Sequence, residues 1–116
     1  MHRRLRLTQR DDFARLRRHG ATERHPALLI SVIANGLSHN RYGFITSKRL
    51  GNAVQRNRTR RQLREAVRLL HPHLIAGHDV VFIARPALVA KPFQDIQRIV
   101  SNLCKRASIQ QRSDSD

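Results

Sequence analysis

Apolar residues along this chain follow two periods. "HPALLISVIANG" is a continuous run rich in Leu, Ile and Val that stops at Asn35-Gly36, the pattern of a buried strand closed by a turn. "GLSHN" continues the turn, and "RYGFITS" gives a second strand, expected antiparallel to the first. "DVVFIAR", residues 79–85, is a third, ended by Pro86. A short edge strand over residues 21–24 is the faintest of these signals. Elsewhere the spacing is helical. In "TQRDDFARLRRHG" Phe13 and Leu16 share a face, Thr8 and Asp11 fit a capping box, and Gly20 fits the C-terminal stop. In "NAVQRNRTRRQLREAVRLL" Leu63, Ala66, Val67 and Leu70 fall together, with Thr59 one turn earlier. "HPHLIAGH" breaks that helix. In "KPFQDIQRIVSNLCKRAS" Phe93, Ile96, Val100, Leu103 and Ala107 make an apolar stripe, and Pro92 sits near the first turn.

The order is therefore helix, strands, helix, strand, helix, without internal repeats. It predicts a mixed sheet covered by helices, an α+β or α/β two-layer sandwich. At 116 residues the chain suits one domain with one modest core. Aromatic residues are only 4% and there is no Trp, so Leu, Ile, Val and Ala must fill that core. The domain is expected over residues 1–109, with "QQRSDSD" from residue 110 to residue 116 as a disordered polar tail.

Charge changes the picture. The net charge is +15, from 23 basic and 8 acidic side chains. Solubility does not require so much, and a field of that size attracts polyanions, nucleic acid first. Residues 1–20 carry a net +5 and residues 41–68 a net +8, so most of the excess lies in two segments. Twenty of the basic residues are Arg, whose planar fork grips phosphate in a bidentate way. The single Cys104 allows no internal disulfide and fits a reducing compartment. The N-terminal residues have no apolar h-region, and no apolar run approaches a membrane span. A soluble, cytoplasmic protein is expected.

The helix around residues 52–70 concentrates the charge. At about 100° per residue, Asn57, Arg60, Arg61, Arg64 and Arg68 fall within one arc, away from the apolar face. Glu65 borders the arc and can pair with Arg61 or with Arg68. Arg56 projects differently, near the helix start. A charged helix face is ordinarily a solvated one with mixed signs, but here the signs are barely mixed. Before the helix, Lys48, Arg49 and Gly51 form a loop whose open N–H groups and positive dipole end suit phosphate.

"SKRLGNAVQRNRTRRQLRE" resembles the RNR signature of the protein subunit of bacterial ribonuclease P: a Lys-x-x-Gly-x-Ala-Val loop, then Arg-Asn-Arg, then a basic helix. "RLRLTQRDDFARLRRHG" is similar to that family's first helix and "DVVFIARP" to its last strand, so the resemblance covers most of the chain. It implies an α-β-β-β-α-β-α order with a mixed four-stranded sheet and a left-handed β-α-β crossover, an exception to the usual hand. It implies a job: binding the large catalytic RNA and helping it cleave the 5′ leader from precursor tRNA. By position, the RNA-contacting residues would be Lys48, Arg49, Asn52, Arg56, Asn57, Arg58, Arg60, Arg61 and Arg64, with Arg68 on the same face outside the tight signature. Asn57 would either bond to RNA or cap nearby backbone. A cleft between the sheet and the first helix would hold the leader, and Phe13 matches its leading aromatic. Where a second aromatic commonly follows, this chain has Arg17, and near Ser31 another is missing. That cleft would then lean on charge more than on stacking.

A catalytic constellation is not indicated in the polypeptide. His71, His73 and His78 form H-x-H-x4-H in a loop, without Cys or a helical His pair, a poor zinc set. Cys104 adjoins the apolar stripe of the last helix and reads as a small buried hydrophobe. Glu65 has no partner carboxylate nearby in sequence. The resemblance places the hydrolytic Mg2+ ions mainly on the catalytic RNA. The partners it implies are that RNA and precursor tRNA, with no membrane and no obligate protein partner. The alternative is a ribosomal or ribosome-assembly RNA-binding protein of similar fold. A helix-turn-helix DNA regulator fares worst, because strands flank the basic helix.

Overall fold

The structure is a computed structural model that describes residues 5–7 and 10–111, without the side chains of Arg10, Asp11 and Arg17. Among the described residues three α-helices and four strands follow in the order α1 (Arg10–His19), β1 (Ala21–His25), β2 (Leu28–Ala34), β3 (Arg41–Ile45), α2 (Ala53–Leu70), β4 (His78–Ala84) and α3 (Phe93–Arg106). The Thr8–Asp11 cap expected for α1 lies outside the described residues. The faint edge strand is real: β1 pairs with β2 in an antiparallel hairpin, Thr22 opposite Ser31 and Arg24 opposite Leu29.

The sheet order is β1-β2-β4-β3. β3 runs antiparallel to β2 as expected, but the two do not pair. β4 inserts between them, antiparallel to β2 and parallel to β3. The β3-α2-β4 segment is thus a crossover between neighbouring parallel strands, and the long helix it needs is the arginine-rich one.

Strand alternation sends side chains to two cores. Leu28, Ile30, Val32, Tyr42, Val80 and Phe82 face α2 and α3, where they meet Leu63, Ala66, Val67, Ile96, Val100 and Leu103. On the other face Val81, with Phe13, Ile33, Ile45 and Ile83 around it, meets Leu16 of α1 and Leu7. Tyr42, Phe44 and Phe82 cluster on the α2 side, Phe44 and Phe82 stacked with ring centroids 5.5 Å apart. The apolar face of α2 is the one that periodicity gives: Thr59, Leu63, Ala66 and Val67 are buried. On α3, Ile99 and Cys104 are buried beside Ile96, Val100 and Leu103, whereas Phe93 and Ala107 are only partly so. Burial pushes the Cys104 thiol up to about 12, so it packs as an inert hydrophobe.

Beyond α3 the chain returns to the loop after α2. Ile75 N–H donates to Ile109 O at 2.7 Å and Gln111 N–H to His73 O at 2.8 Å. Gln110 and Gln111, expected in the polar tail, are therefore tied to that loop, and residues 112–116 lie outside the described residues.

Candidate nucleic-acid interface

The interface begins where β3 ends. A 3₁₀ turn, Lys48–Leu50, carries Lys48 and Arg49 outward while Leu50 is buried. Gly51 follows at φ +131°, a backbone geometry that side chains rarely adopt, and a Cβ there would overlap the Gln55 side-chain oxygen. Gln55 needs that space. Its Oε1 accepts from Asn52 N–H at 3.0 Å, while Asn52 Oδ1 accepts from Gln55 N–H at 2.9 Å, a reciprocal capping box. Such a cap contributes about 0.5–2 kcal/mol. Asn52, carried into the RNA-contacting set by resemblance, thus spends its side-chain oxygen on the helix start. The N–H groups of Ala53 and Val54 have no protein acceptor among the described residues, and they mark the positive end of α2 just after the Lys48–Leu50 turn.

Along α2 the arginines divide into two rows. Arg56, Arg60 and Arg64, spaced four apart, are half-buried. Arg58, Arg61 and Arg68 are exposed. Arg56 was expected to project apart from the others and instead heads the inner row, because four-residue spacing stacks side chains on one helix edge. Its Nε is buried without a hydrogen-bond partner. Arg60 is held in place: Nη2 donates to Thr46 Oγ1 at 2.7 Å and Nη1 to Asn57 Oδ1 at 3.2 Å. Asn57 therefore orients a guanidinium, a role outside the two alternatives that the sequence left open. Glu65 chooses Arg68, accepting two bonds at 2.9 and 2.6 Å, and leaves Arg61 alone.

A cation that sequence inspection missed completes the inner row. Leu7 N–H donates to Tyr42 O at 2.7 Å, and Arg6 bridges Tyr42 in parallel fashion, so the N-terminal segment lies along the free edge of β3. A bridge partner shares its neighbour's face, and Tyr42 faces α2, so Arg6 is on the α2 side. Partial burial, and then the charges of Arg6 and Arg60, lower the Arg64 pKa from its ordinary value, although the guanidinium stays charged. Among the described residues no ion pair joins Lys48, Arg49, Arg56, Arg58, Arg60, Arg61 or Arg64 to a carboxylate. Like charges gathered without counter-ions cost free energy in the isolated protein, and a phosphate backbone removes that cost.

The opposite face of the sheet offers the second candidate site. Phe13 of α1 lies directly on β3: a Cβ at Gly43 would come within 2.7 Å of the Phe13 ring. The ring is half-buried, packed near Leu7, Leu16 and Val81 yet open on one side. From it the sheet continues as a half-covered apolar floor of Leu29, Ile45 and Ile83. Ser31 lies under α1, 7% exposed and bonded to Thr22 at 3.1 Å, so the missing aromatic leaves a small polar pair in its place. The Arg17 side chain lies outside the described residues.

The histidines disperse. Tyr42 Oη is 2.6 Å from His71 Nδ1, His73 O accepts from Gln111, and His78 Nδ1 is 3.1 Å from Ile75 O. Among the described residues no group of three or more His, Cys, Asp and Glu side chains could hold a metal ion, and no helix is long and apolar enough to cross a membrane.

Comparison with known proteins agrees with this geometry. The family model described as Ribonuclease P matches residues 1–108. The ribonuclease P protein component of Roseiflexus sp. strain RS-1 is 46% identical over 116 residues, 99% of this chain and 95% of the relative. That of Clostridioides difficile strain 630 is 36% identical, covering 89% of this chain and 91% of the relative. The structure of the Staphylococcus aureus RNase P protein superposes with a TM-score of 0.84 at 28% identity, covering 91% of this chain and 97% of that one. The Thermotoga maritima RNase P protein gives 0.80 at 28% identity, covering 87% and 96%. A cationic turn and helix on a four-stranded mixed sheet, matched over nearly its whole length, place this chain in the ribonuclease P protein family.

Proposed function

We propose that this chain binds the catalytic RNA of ribonuclease P through the Lys48–Arg49 turn and α2, and receives the 5′ leader of precursor tRNA in the groove between α1 and the sheet. One observation carries the proposal: seven cations from Lys48 to Arg64 stand together without a carboxylate partner among the described residues. Stability does not call for such a surface, and structured RNA neutralises it. The inner row of Arg56, Arg60 and Arg64 is partly desolvated, and Arg60 is fixed in direction by Thr46 and Asn57, which suits defined phosphates. The outer Arg58 and Arg61 are exposed. Lys48 and Arg49 lie exposed in the turn between β3 and α2.

The groove has one aromatic, Phe13, above an aliphatic floor. Single-stranded RNA stacks on such a ring, and each stacked base contributes about 1–3 kcal/mol. Hydrolysis itself falls to Mg2+ ions held by the RNA. The donors of the α2 surface are guanidiniums, which repel a divalent cation, whereas RNA phosphates attract it. The polypeptide binds, orients and neutralises.

The deciding experiment is leader cleavage from precursor tRNA in magnesium buffer. Protein alone should leave the substrate intact, and protein with the catalytic RNA should release the leader faster than RNA alone at low magnesium. Cleavage by nuclease-free protein alone, or no stimulation of the RNA, would refute the assignment.

A further inference from the structure

On the α1 side of the sheet, one carboxylate gathers three separate elements. Asp79 of β4 is 0% exposed. Its Oδ1 accepts from Arg41 Nε and from Asn35 Nδ2, both at 2.9 Å. Its Oδ2 accepts from Arg41 Nη2 at 2.7 Å and from Arg15 Nη2 at 2.8 Å. Arg41 belongs to β3, Asn35 to the turn after β2, and Arg15 to α1. Asp12, one turn before Arg15, closes the ring with contacts of 3.5 Å to Arg41 and 3.8 Å to Arg15.

The ring sits where α1 has few other restraints. Among the described residues α1 contributes Leu16 and the half-buried Phe13 to the apolar cluster on this face. Apolar contact is non-directional and lets a helix slide or roll. Charge-assisted bonds with a guanidinium fork fix both distance and angle. A buried ion-pair network adds little net stability over an apolar packing of equal volume, and its best-attested use is to select one arrangement. Here the clamp residues Asp12 and Arg15 flank Phe13 on the helix, so whatever fixes them fixes the ring on Gly43.

We propose that Asp79 is a positioning residue for the leader: through Arg15, and through the Arg41–Asp12 contact, it sets the stance of α1 over the sheet and so holds Phe13 at the groove. This rests on the assignment of the α1-side groove to the leader. Asp79 touches no RNA itself, and neither Asp79 nor Arg15 lies on the α2 surface, so its loss should spare binding of the catalytic RNA.

The test uses full-length protein reconstituted with the catalytic RNA. Affinities are measured for precursor tRNA carrying a single-stranded leader and for mature tRNA, with wild type, Asp79→Asn, Arg15→Gln and Phe13→Ala. Arg15→Gln leaves Arg41 and Asn35 on the carboxylate and serves if Asp79→Asn does not fold. Asp79→Asn and Arg15→Gln should each cut the precursor-to-mature preference about fivefold, the scale of one weakened stacking contact, with mature tRNA affinity unchanged. Arg15→Lys, which keeps a donor to Asp79, should recover part of the preference. Phe13→Ala should add little further loss in the Arg15→Gln background. A merely structural defect would instead weaken both substrates alike. If Phe13→Ala lowers the preference and neither clamp variant does, the positioning role is overturned while the leader groove stands. If none of the three changes the preference, the groove assignment falls and the positioning role falls with it.

Discussion

Arginines on the two faces of the sheet live in opposite surroundings. On the α1 side Arg15 and Arg41 converge on Asp79 and Asp12, so both guanidiniums have carboxylate partners inside the protein. On the α2 side Arg56, Arg58, Arg60, Arg61 and Arg64 have no carboxylate among the described residues, and Arg6 adds to the excess. The same side chain is structural in one place and unfinished in the other. An arginine with an internal partner holds the fold, whereas a row without one keeps its guanidiniums open to an anionic partner from outside.

The contrast can be broken first where its effect is largest. Arg41→Met removes two of the four bonds to a buried carboxylate. Breaking a buried ion pair costs about 3–5 kcal/mol, and the remaining Arg15 and Asn35 place the expected loss near the low end, about 3 kcal/mol. Urea melts would read it. A loss below about 1 kcal/mol, the range of surface pairs, would mean that the α1-side ring is no more than surface decoration.

Acid should sharpen the same contrast. Burial alone would push the Asp79 carboxyl up, but bonds from Arg41 and Asn35 and the charges of Arg41 and Arg15 outweigh it and hold the group below its ordinary range. A depressed carboxylate contributes stability that is complete above the unfolded value of about 3.9 and is lost as pH falls through the folded pKa. Wild type should therefore weaken steadily below about pH 4. Asp79→Asn should show a shallower acid slope across the same window. Parallel slopes would contradict the assigned protonation.

These pairings explain what could be read in advance. Thr59, Leu63, Ala66 and Val67 are buried as the three- and four-residue spacing demands, because a helix makes its own face locally. The Lys48–Gly51 turn and its helix were legible as one cationic unit for the same reason. Strand pairing was not. Nothing between Arg41 and Ile45 says that the partner is β4 rather than β2, since a parallel neighbour arrives only after the whole crossover. Asp79 read as the first residue of a strand, and its partners Arg15 and Arg41 lie 64 and 38 residues away. Arg6 was hidden likewise, because its place depends on an edge bridge to Tyr42. Asn52 and Asn57 were grouped with the RNA contacts by position, and only coordinates show one capping α2 and the other steering Arg60.

The smallest effect bears most directly on the central claim that the α2 arginines are left unpaired for RNA. It is the salt dependence of binding to the catalytic RNA. About five phosphate contacts from the turn and α2 predict a log–log slope of about −3.5 to −4.5. Arg61 is exposed, and Glu65 is taken by Arg68, so Arg61→Ala should leave the melting curve unchanged and flatten that slope by about 0.7–0.9. A slope for Arg61→Ala equal to that of wild type would contradict the account at its centre, since an exposed, unpaired cation in the middle of α2 would then meet no phosphate.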